Sequence, residues 1–110
     1  YGSLSCNSFV SVYFSQLKPL ISNHQFYNCP NLKLFIALML QNLNDGCFYN
    51  CTKLETVLTP NANTSQQCFE NCTEIKTILA LEGDFICFCR NCPKCNGTLQ
   101  QCLENGKKFA

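Results

Sequence analysis

Two segments of the chain, Cys47-Phe-Tyr-Asn-Cys-Thr-Lys-Leu-Glu-Thr-Val-Leu58 and Cys68-Phe-Glu-Asn-Cys-Thr-Glu-Ile-Lys-Thr-Ile-Leu79, are copies of one twelve-residue unit. Seven of the twelve positions are identical, and two more exchange one aliphatic residue for another. Within the unit, a Lys-x-Glu pair of the first copy returns as Glu-x-Lys in the second. Agreement at this level indicates an internal repeat over residues 47–58 and 68–79.

The apolar positions of both copies follow the spacing i, i+4, i+7 and i+11, which places them on one face of an α-helix. These positions are Cys47, Cys51, Leu54 and Leu58 in the first copy and Cys68, Cys72, Ile75 and Leu79 in the second. Each copy is therefore predicted to be a helix that presents two thiols and two aliphatic side chains. Packed antiparallel, the helices would bring Cys47 opposite Cys72 and Cys51 opposite Cys68. This doubly bridged hairpin is a hypothesis, because spacing alone does not fix disulfide connectivity.

Helical spacing of apolar residues extends beyond the repeat. It predicts one helix over residues 7–22 and another that begins at residue 31 or 32 and ends at Asn44-Asp45-Gly46. A short helix from about Thr98 to Leu103 would close the fold, and Phe85 to Cys89 reads as extended. The predicted fold class is mainly α, a small disulfide-rich helical bundle that forms a single domain over residues 1–110.

Composition narrows the class of protein. The chain has 110 residues, of which 11 are cysteines, and its formal net charge is +1. Such cysteine density is typical of small secreted scaffolds that add disulfides to a modest core. The near-neutral charge predicts neither a nucleic-acid surface nor attraction to an anionic membrane.

Four glycosylation acceptor triplets of the form Asn-x-Ser/Thr support an extracellular location. They begin at Asn50, Asn63, Asn71 and Asn96. The longest apolar run, Leu34 to Leu40, is too short to span a membrane. The chain opens at Tyr1 without features of a signal peptide, so any leader is expected to have been removed. We therefore expect a soluble, secreted glycoprotein.

The motif Cys87-x-Cys89-x2-Cys92-x2-Cys95 places four thiols within nine residues and could bind one zinc ion. Disulfides are the preferred interpretation, because no second Cys-x2-Cys pair lies elsewhere in the chain and seven other cysteines would remain to be explained. No cofactor is therefore predicted. Outside the proposed hairpin, the cysteines of unknown pairing are Cys6, Cys29, Cys87, Cys89, Cys92, Cys95 and Cys102. An odd total leaves at least one thiol unpaired within the chain, and that thiol could join two chains into a homo-oligomer.

Enzymatic activity is not expected. A cysteine nucleophile needs a base, and His24 is the only histidine. The carboxylates fall mostly on predicted polar faces or turns, and no glycine-rich phosphate loop is present. A binding role fits better, and Phe26 and Tyr27, in a polar segment, are candidate contacts to a receptor.

Two family resemblances involve the repeat. The Cys47/Cys51 and Cys68/Cys72 pairs are similar to the twin Cys-x3-Cys pattern of the small chaperones of the mitochondrial intermembrane space, whose cysteines bridge a helical hairpin. The same pairs, together with dense cysteines and an Asn-rich and Phe-rich composition, resemble the secreted mating pheromones of ciliates. That second resemblance implies a diffusible signal that binds a cell-surface receptor.

The leading functional hypothesis is accordingly a secreted, pheromone-like or cytokine-like signalling protein with a cell-surface receptor as its partner. One alternative is a receptor ectodomain or cysteine-rich binding module, since residues 29–35 (Cys-Pro-Asn-Leu-Lys-Leu-Phe) resemble part of the frizzled-type domain. A second alternative is an intracellular zinc-binding protein, for which free thiols and bound metal are expected.

Overall fold

Successive turns of the chain each contribute one strand to a parallel β-sheet. A computed structural model describes residues 10–14, 29–43 and 48–109. The strands are β1 (Ser11–Phe14), β2 (Leu34–Ala37), β3 (Thr56–Asn63) and β4 (Thr77–Glu82), followed by helices α1 (Pro93–Asn96) and α2 (Leu99–Lys107). In these ranges the strands form one sheet in the order β1-β2-β3-β4, and each neighbouring pair is parallel.

Equivalent residues of successive strands lie side by side. Ser11 pairs with Leu34, Leu34 with Thr56, and Thr56 with Thr77. One turn of chain therefore takes 21 to 23 residues. Short parallel strands that return at about this interval are the pattern of a solenoid, in which each repeat packs only on its neighbours.

The predicted antiparallel hairpin of two helices is wrong. Each copy ends with the first three residues of a strand, and Val57 pairs with Ile78 in parallel register. The strand is preceded by turns, in which Asn50 and Asn71 adopt left-handed backbone angles with φ of 64° and 61°. A turn followed by a strand buries the same cysteine and aliphatic positions that a helix face would bury, which explains why the apolar spacing was misleading.

The prediction of a mainly α, helical-bundle fold is also wrong, because the described residues form a four-stranded parallel sheet with two short helices. β1 lies within the predicted helix over residues 7–22, and β2 lies within the helix predicted from residue 31 or 32. Burial along β2 alternates between half-buried and buried residues, as expected for a strand with one covered face. The short helix expected near residues 98–103 is present as the longer α2.

Aromatic rings form a continuous column through the core. Phe35 meets Phe48 edge to face at a centroid distance of 4.9 Å, and Phe48 stacks on Phe69 at 5.6 Å. Phe69 then meets Phe85 edge to face at 5.2 Å. All four side chains are buried. Since each ring removes on the order of 150–250 Å² from water, this column is a main source of apolar burial in the repeats.

Helix α2 closes the C-terminal end of the sheet by packing along the outer edge of β4. The side-chain amide of Asn105 donates a hydrogen bond to the carbonyl of Lys76 at 2.8 Å. Gly106 lies so close to the backbone of Ile78 that a Cβ atom would overlap its carbonyl. An uncovered edge strand is open to pairing with other chains, so α2 serves as the terminal cap that a solenoid requires. In the described ranges, no helix combines the length and apolar content needed to cross a bilayer.

Candidate functional site

The exposed face of the sheet carries a row of apolar side chains in register. Tyr13, Ile36, Leu58 and Leu79 pair with one another in sequence across the four strands, and we call them the apolar row. Tyr13 is 62% exposed, and the other three are half-buried. Leu81, which is 66% exposed, extends the apolar surface along β4. A contiguous apolar patch that faces solvent typically marks a surface for protein contact.

Charged residues border the apolar row where the strands begin. Lys33, Glu55 and Lys76 immediately precede β2, β3 and β4, so their charges alternate in sign across the sheet. Their backbones are linked, because the N–H of Glu55 donates to the carbonyl of Lys33 and the N–H of Lys76 donates to the carbonyl of Glu55, both at 2.9 Å. An apolar centre with a charged rim is the usual composition of a protein interface.

A column of buried thiols runs through the turns that precede the strands. Cys29, Cys51 and Cys72 each lie five residues before the aligned first residue of a strand, and all three are fully buried. A hydrogen bond with Cys29, together with burial, raises the pKa of Cys51. Burial likewise raises the pKa of Cys72, whose thiol donates a hydrogen bond to the carbonyl of Phe48 at 3.0 Å. Such surroundings disfavour the thiolate form of these side chains.

Four further cysteines meet just beyond β4. The sulfur atoms of Cys87, Cys89, Cys92 and Cys95 all lie within 4.8 Å of one another, and we call these residues the cysteine cluster. Cys87 Sγ lies 3.3 Å from Cys89 Sγ, and Cys89 Sγ lies 4.0 Å from Cys95 Sγ. Cys87 and Cys92 are buried, and the other two are half-buried. The four residues predicted from the sequence as possible zinc ligands therefore lie close together in the structure.

Backbone groups surround the sulfur of Cys89. The N–H groups of Asn71 and Asn91 both donate to Cys89 Sγ at 3.3 Å. Burial acts to raise the pKa of Cys89, but these two hydrogen bonds, together with those from the thiols of Cys87 and Cys92, lower the pKa to about 7. Burial raises the pKa of Cys92 to about 12 and also raises that of Cys87. The cluster thus combines one readily ionised thiol with two that resist ionisation.

A tight turn brings Cys92 and Cys95 into the cluster. Cys92 caps the N-terminus of α1, and Pro93 begins the helix. The N–H of Asn96 donates to the carbonyl of Cys92, and the N–H of Gly97 donates to the carbonyl of Pro93, both at 3.0 Å. Gly97 has φ of 85°, a left-handed angle that favours glycine and ends the helix. These backbone hydrogen bonds therefore fix the positions of Cys92 and Cys95 relative to each other.

The repeat geometry agrees with a comparison to known protein families. The family described as the BspA type leucine rich repeat region matches residues 4–92 in six copies. The chain belongs to this family. Repeats of this kind are commonly protein-binding modules of extracellular or surface proteins. No curated protein and no solved structure matches the chain.

Membership in a leucine-rich repeat family corrects the recognition made from the sequence. The resemblance to ciliate mating pheromones is wrong, and so is the description of the chain as a pheromone. It depended on Cys-x3-Cys pairs placed on helices, whereas Cys51 and Cys72 lie in turns of a β solenoid. The binding-module alternative is compatible with the family, and protein partners are what such repeats often bind.

Several predicted site residues cannot be located in the fold. Cys6, Cys47, Phe26 and Tyr27 lie outside the described residues, as does His24. The pairing of Cys47 with Cys72 and that of Cys51 with Cys68 stay predictions, although the helical hairpin from which they came is wrong. Cys102 is a buried residue of α2, and its thiol faces the carbonyl of Ile75 at 3.6 Å.

The four glycosylation candidates occupy two kinds of position. Asn63 and Asn96 are exposed, whereas Asn50 and Asn71 are half-buried in the turns of the repeat. The left-handed backbone at Asn50 and Asn71 is itself a reason for asparagine there, because asparagine tolerates this conformation better than most residues. Their use as glycosylation sites stays a prediction.

Reasoning from the sequence missed the apolar row. Apolar spacing places Leu58 and Leu79 on helix faces and puts Tyr13 and Ile36 in segments predicted to be helical. It does not identify strand partners 21 to 23 residues apart as neighbours. The available signal was the distance between the two copies, since Cys51 and Cys72 are separated by 21 residues. That interval lies within the range of leucine-rich repeats, about 20–29 residues.

Proposed function

We propose that the chain is a protein-binding module whose binding surface is the exposed face of the parallel sheet. The observation that carries this proposal is the apolar row, four aligned side chains from four strands of which Tyr13 remains 62% exposed. Burying such a row against a partner removes apolar area from water, which is the dominant favourable term in most protein association.

The residues of this surface indicate what kind of partner it would bind. Aliphatic side chains at Ile36, Leu58 and Leu79 with one tyrosine at the end of the row suit a partner segment that presents apolar side chains. The alternating charges of Lys33 and Glu55 at the border suit a partner with both acidic and basic residues around that segment. The partner is therefore a protein surface with an apolar centre rather than a nucleic acid.

The secreted location expected from the sequence belongs to this proposal. It is supported by the four acceptor triplets for glycosylation. The partner would then be an extracellular or cell-surface protein. No catalytic role is proposed.

Site-specific photocrosslinking tests the binding surface. A benzophenone amino acid replaces Leu58 in one sample and Gln66, an exposed residue of the turn after β3, in a matched control. Each is incubated with intact cells of the source organism and irradiated. We expect one defined protein adduct from the Leu58 position and a much weaker one, or none, from Gln66.

A competition experiment tests whether formation of the adduct depends on the apolar row. Excess unlabelled wild-type chain should abolish the adduct, whereas excess Leu58→Glu chain should not, because a carboxylate at the centre of the row opposes burial. Equal competition by the two chains would overturn the proposal. So would adducts from Gln66 alone, the absence of any adduct from Leu58, or an adduct that consists of a second copy of this chain.

A further inference from the structure

We propose that Cys87, Cys89, Cys92 and Cys95 bind one structural zinc ion that fastens the C-terminal cap to the last repeat. Four thiolates are one of the standard ligand sets of structural zinc, and the ion is bound tetrahedrally with Zn–S distances of about 2.3 Å. This inference is independent of the sheet surface and of any partner.

The sulfur positions fit a tetrahedral ion. Ligands at about 2.3 Å from zinc lie about 3.8 Å from one another in a regular tetrahedron. Within the cluster, the Cys87 to Cys89 and Cys89 to Cys95 sulfur distances of 3.3 and 4.0 Å lie on either side of that value. All four sulfurs are within 4.8 Å of one another. Two disulfides would instead divide the cluster into two bonded pairs at about 2.05 Å.

The last turn of the solenoid replaces core residues with ligands. The pair Asn-Cys occurs in the sequence as Asn28-Cys29, Asn50-Cys51 and Asn71-Cys72 and again as Asn91-Cys92. Two residues before the asparagine, the repeats have a phenylalanine of the aromatic column, and the last turn has Cys89. Three residues after the cysteine, the repeats have a buried Leu or Ile, and the last turn has Cys95. Two positions that are apolar in the repeats therefore carry thiols in the last turn, while Phe85 still extends the aromatic column.

The surroundings of the cluster supply the hydrogen bonds that metal-bound sulfur needs. Cys89 Sγ accepts the N–H of Asn91 from its own loop and the N–H of Asn71 from the preceding repeat, both at 3.3 Å. Such contacts orient the ligands and offset negative charge on the sulfur. Because Asn71 belongs to the turn before β4, the site links the last repeat to the segment that carries α1.

The site would be closed rather than catalytic. Four protein ligands fill a tetrahedral shell and leave no position for water or substrate. The ligands Cys92 and Cys95 flank Pro93 at the start of α1, and α2 follows directly. Binding zinc would therefore hold the cap in place against β4, and free energy of metal binding would appear as folding stability.

Metal content and cobalt substitution test the site. The chain is produced with zinc in the medium, purified without reductant or chelator, and weighed by native mass spectrometry. We expect one zinc ion per chain. Replacement by Co²⁺ should produce the thiolate-to-cobalt charge-transfer bands and intense visible bands of tetrahedral coordination, and chelation of zinc should lower the midpoint of thermal unfolding.

Two variants and a control keep the test decisive. Cys89→Ser combined with Cys95→Ser removes two ligands, and Cys89→Phe combined with Cys95→Leu restores the residues that the repeats have at these positions. Both should lose stoichiometric zinc, and the second should keep the strand signal in circular dichroism. Cys102→Ala, a buried thiol outside the cluster, should retain one zinc.

Three results would overturn the inference. The first is a folded wild-type chain that contains no zinc. The second is zinc retained by the variant with Phe and Leu. The third is peptide mapping that finds disulfides among the four cysteines. None of these results would affect the photocrosslinking at Leu58, so failure of this inference is distinguishable from failure of the proposed function.

Discussion

Phe48 and Phe69 stack with 5.6 Å between their ring centroids and only 7° between their ring planes. They occupy the same position in successive repeats, and each is fully buried. Because the strands are parallel and in register, a side chain of one repeat lies directly on its equivalent in the next. The core is therefore built from columns of equivalent residues, and loss of one member affects two neighbours.

Replacement of Phe69 tests the aromatic column. Phe69→Ala is expected to lower the free energy of unfolding by about 3–5 kcal/mol, because truncation leaves a cavity between Phe48 and Phe85. Phe88→Ala is the matched control, since that ring is 79% exposed, and its effect should stay within about 0.5 kcal/mol. Urea denaturation followed by circular dichroism measures both. Equal losses in the two variants would contradict the column.

Gly106 tests the contact between α2 and β4. Gly106→Ala would place a methyl group on the carbonyl of Ile78. Because the backbone of β4 cannot easily move aside, we expect the free energy of unfolding to fall by about 1–3 kcal/mol or more. Gly83→Ala is the control, because its methyl group would meet the flexible end of the Leu103 side chain. Chemical denaturation should rank Gly106→Ala as clearly the more destabilised. The reverse order would show that α2 does not pack as described.

Asn50 tests the turn geometry. Asn50 has φ of 64°. Asn50→Ala should lower the free energy of unfolding by about 1–2 kcal/mol, because a Cβ-bearing residue without a local polar group is strained in the left-handed region. Asn50→Gly should change the stability by less, since glycine adopts this angle freely. Both variants should be produced in a host that does not glycosylate, so that loss of the acceptor triplet has no effect. A more stable Ala variant than Gly variant would be inconsistent with a left-handed residue 50.

The pKa of Asp84 provides a test of its ion pair with Lys94, which lies beside the cysteine cluster. The ammonium group of Lys94 donates a hydrogen bond to the Asp84 carboxylate and lowers its pKa. A carboxyl whose pKa is lower in the folded state contributes stability above its unfolded pKa, and this contribution is lost as the pH falls through the folded pKa. Lys94→Met should therefore raise the pKa of Asp84 toward its ordinary value.

Carboxyl-carbon NMR titration of Asp84 in the wild type and in Lys94→Met measures this shift directly. The exposed Lys53→Met is the control and should leave the Asp84 titration unchanged. Because Asp84 is fully exposed, solvent and salt screen the interaction, and raising the ionic strength should bring the two titration curves together. An unchanged Asp84 pKa in Lys94→Met at low salt would rule out the ion pair.

The repeat could be found from the sequence, but its conformation could not be decided from apolar spacing. Cys51 and Leu54 are both buried because the chain turns between them, with the N–H of Leu54 bonded to the carbonyl of Cys51 at 3.1 Å. A helix would bury the same two residues. The information that separates a helix from a turn and strand is the interval between copies, which a local window of residues does not contain.

The two parts of the candidate site differ in how far the sequence reveals them. The cysteine cluster lies within nine residues, so its members could be named in advance. The spatial relation of its sulfurs could not, because it depends on Asn71 of the preceding repeat and on the turn at Gly97. The apolar row comes from strands far apart in the chain, and only the sheet register brings Tyr13 beside Ile36.

The position of α2 determines where this array can gain repeats. The helix lies against the edge of β4 at Ile78, on the side where a further strand would have to pair. A duplicated unit inserted after Glu82 would displace the helix and would lose the close fit at Gly106. A duplication upstream of Thr77 would leave that fit intact. Lengthening by gene duplication is therefore expected to proceed by insertion before the final strand, with α2 carried along unchanged as the end of every longer array.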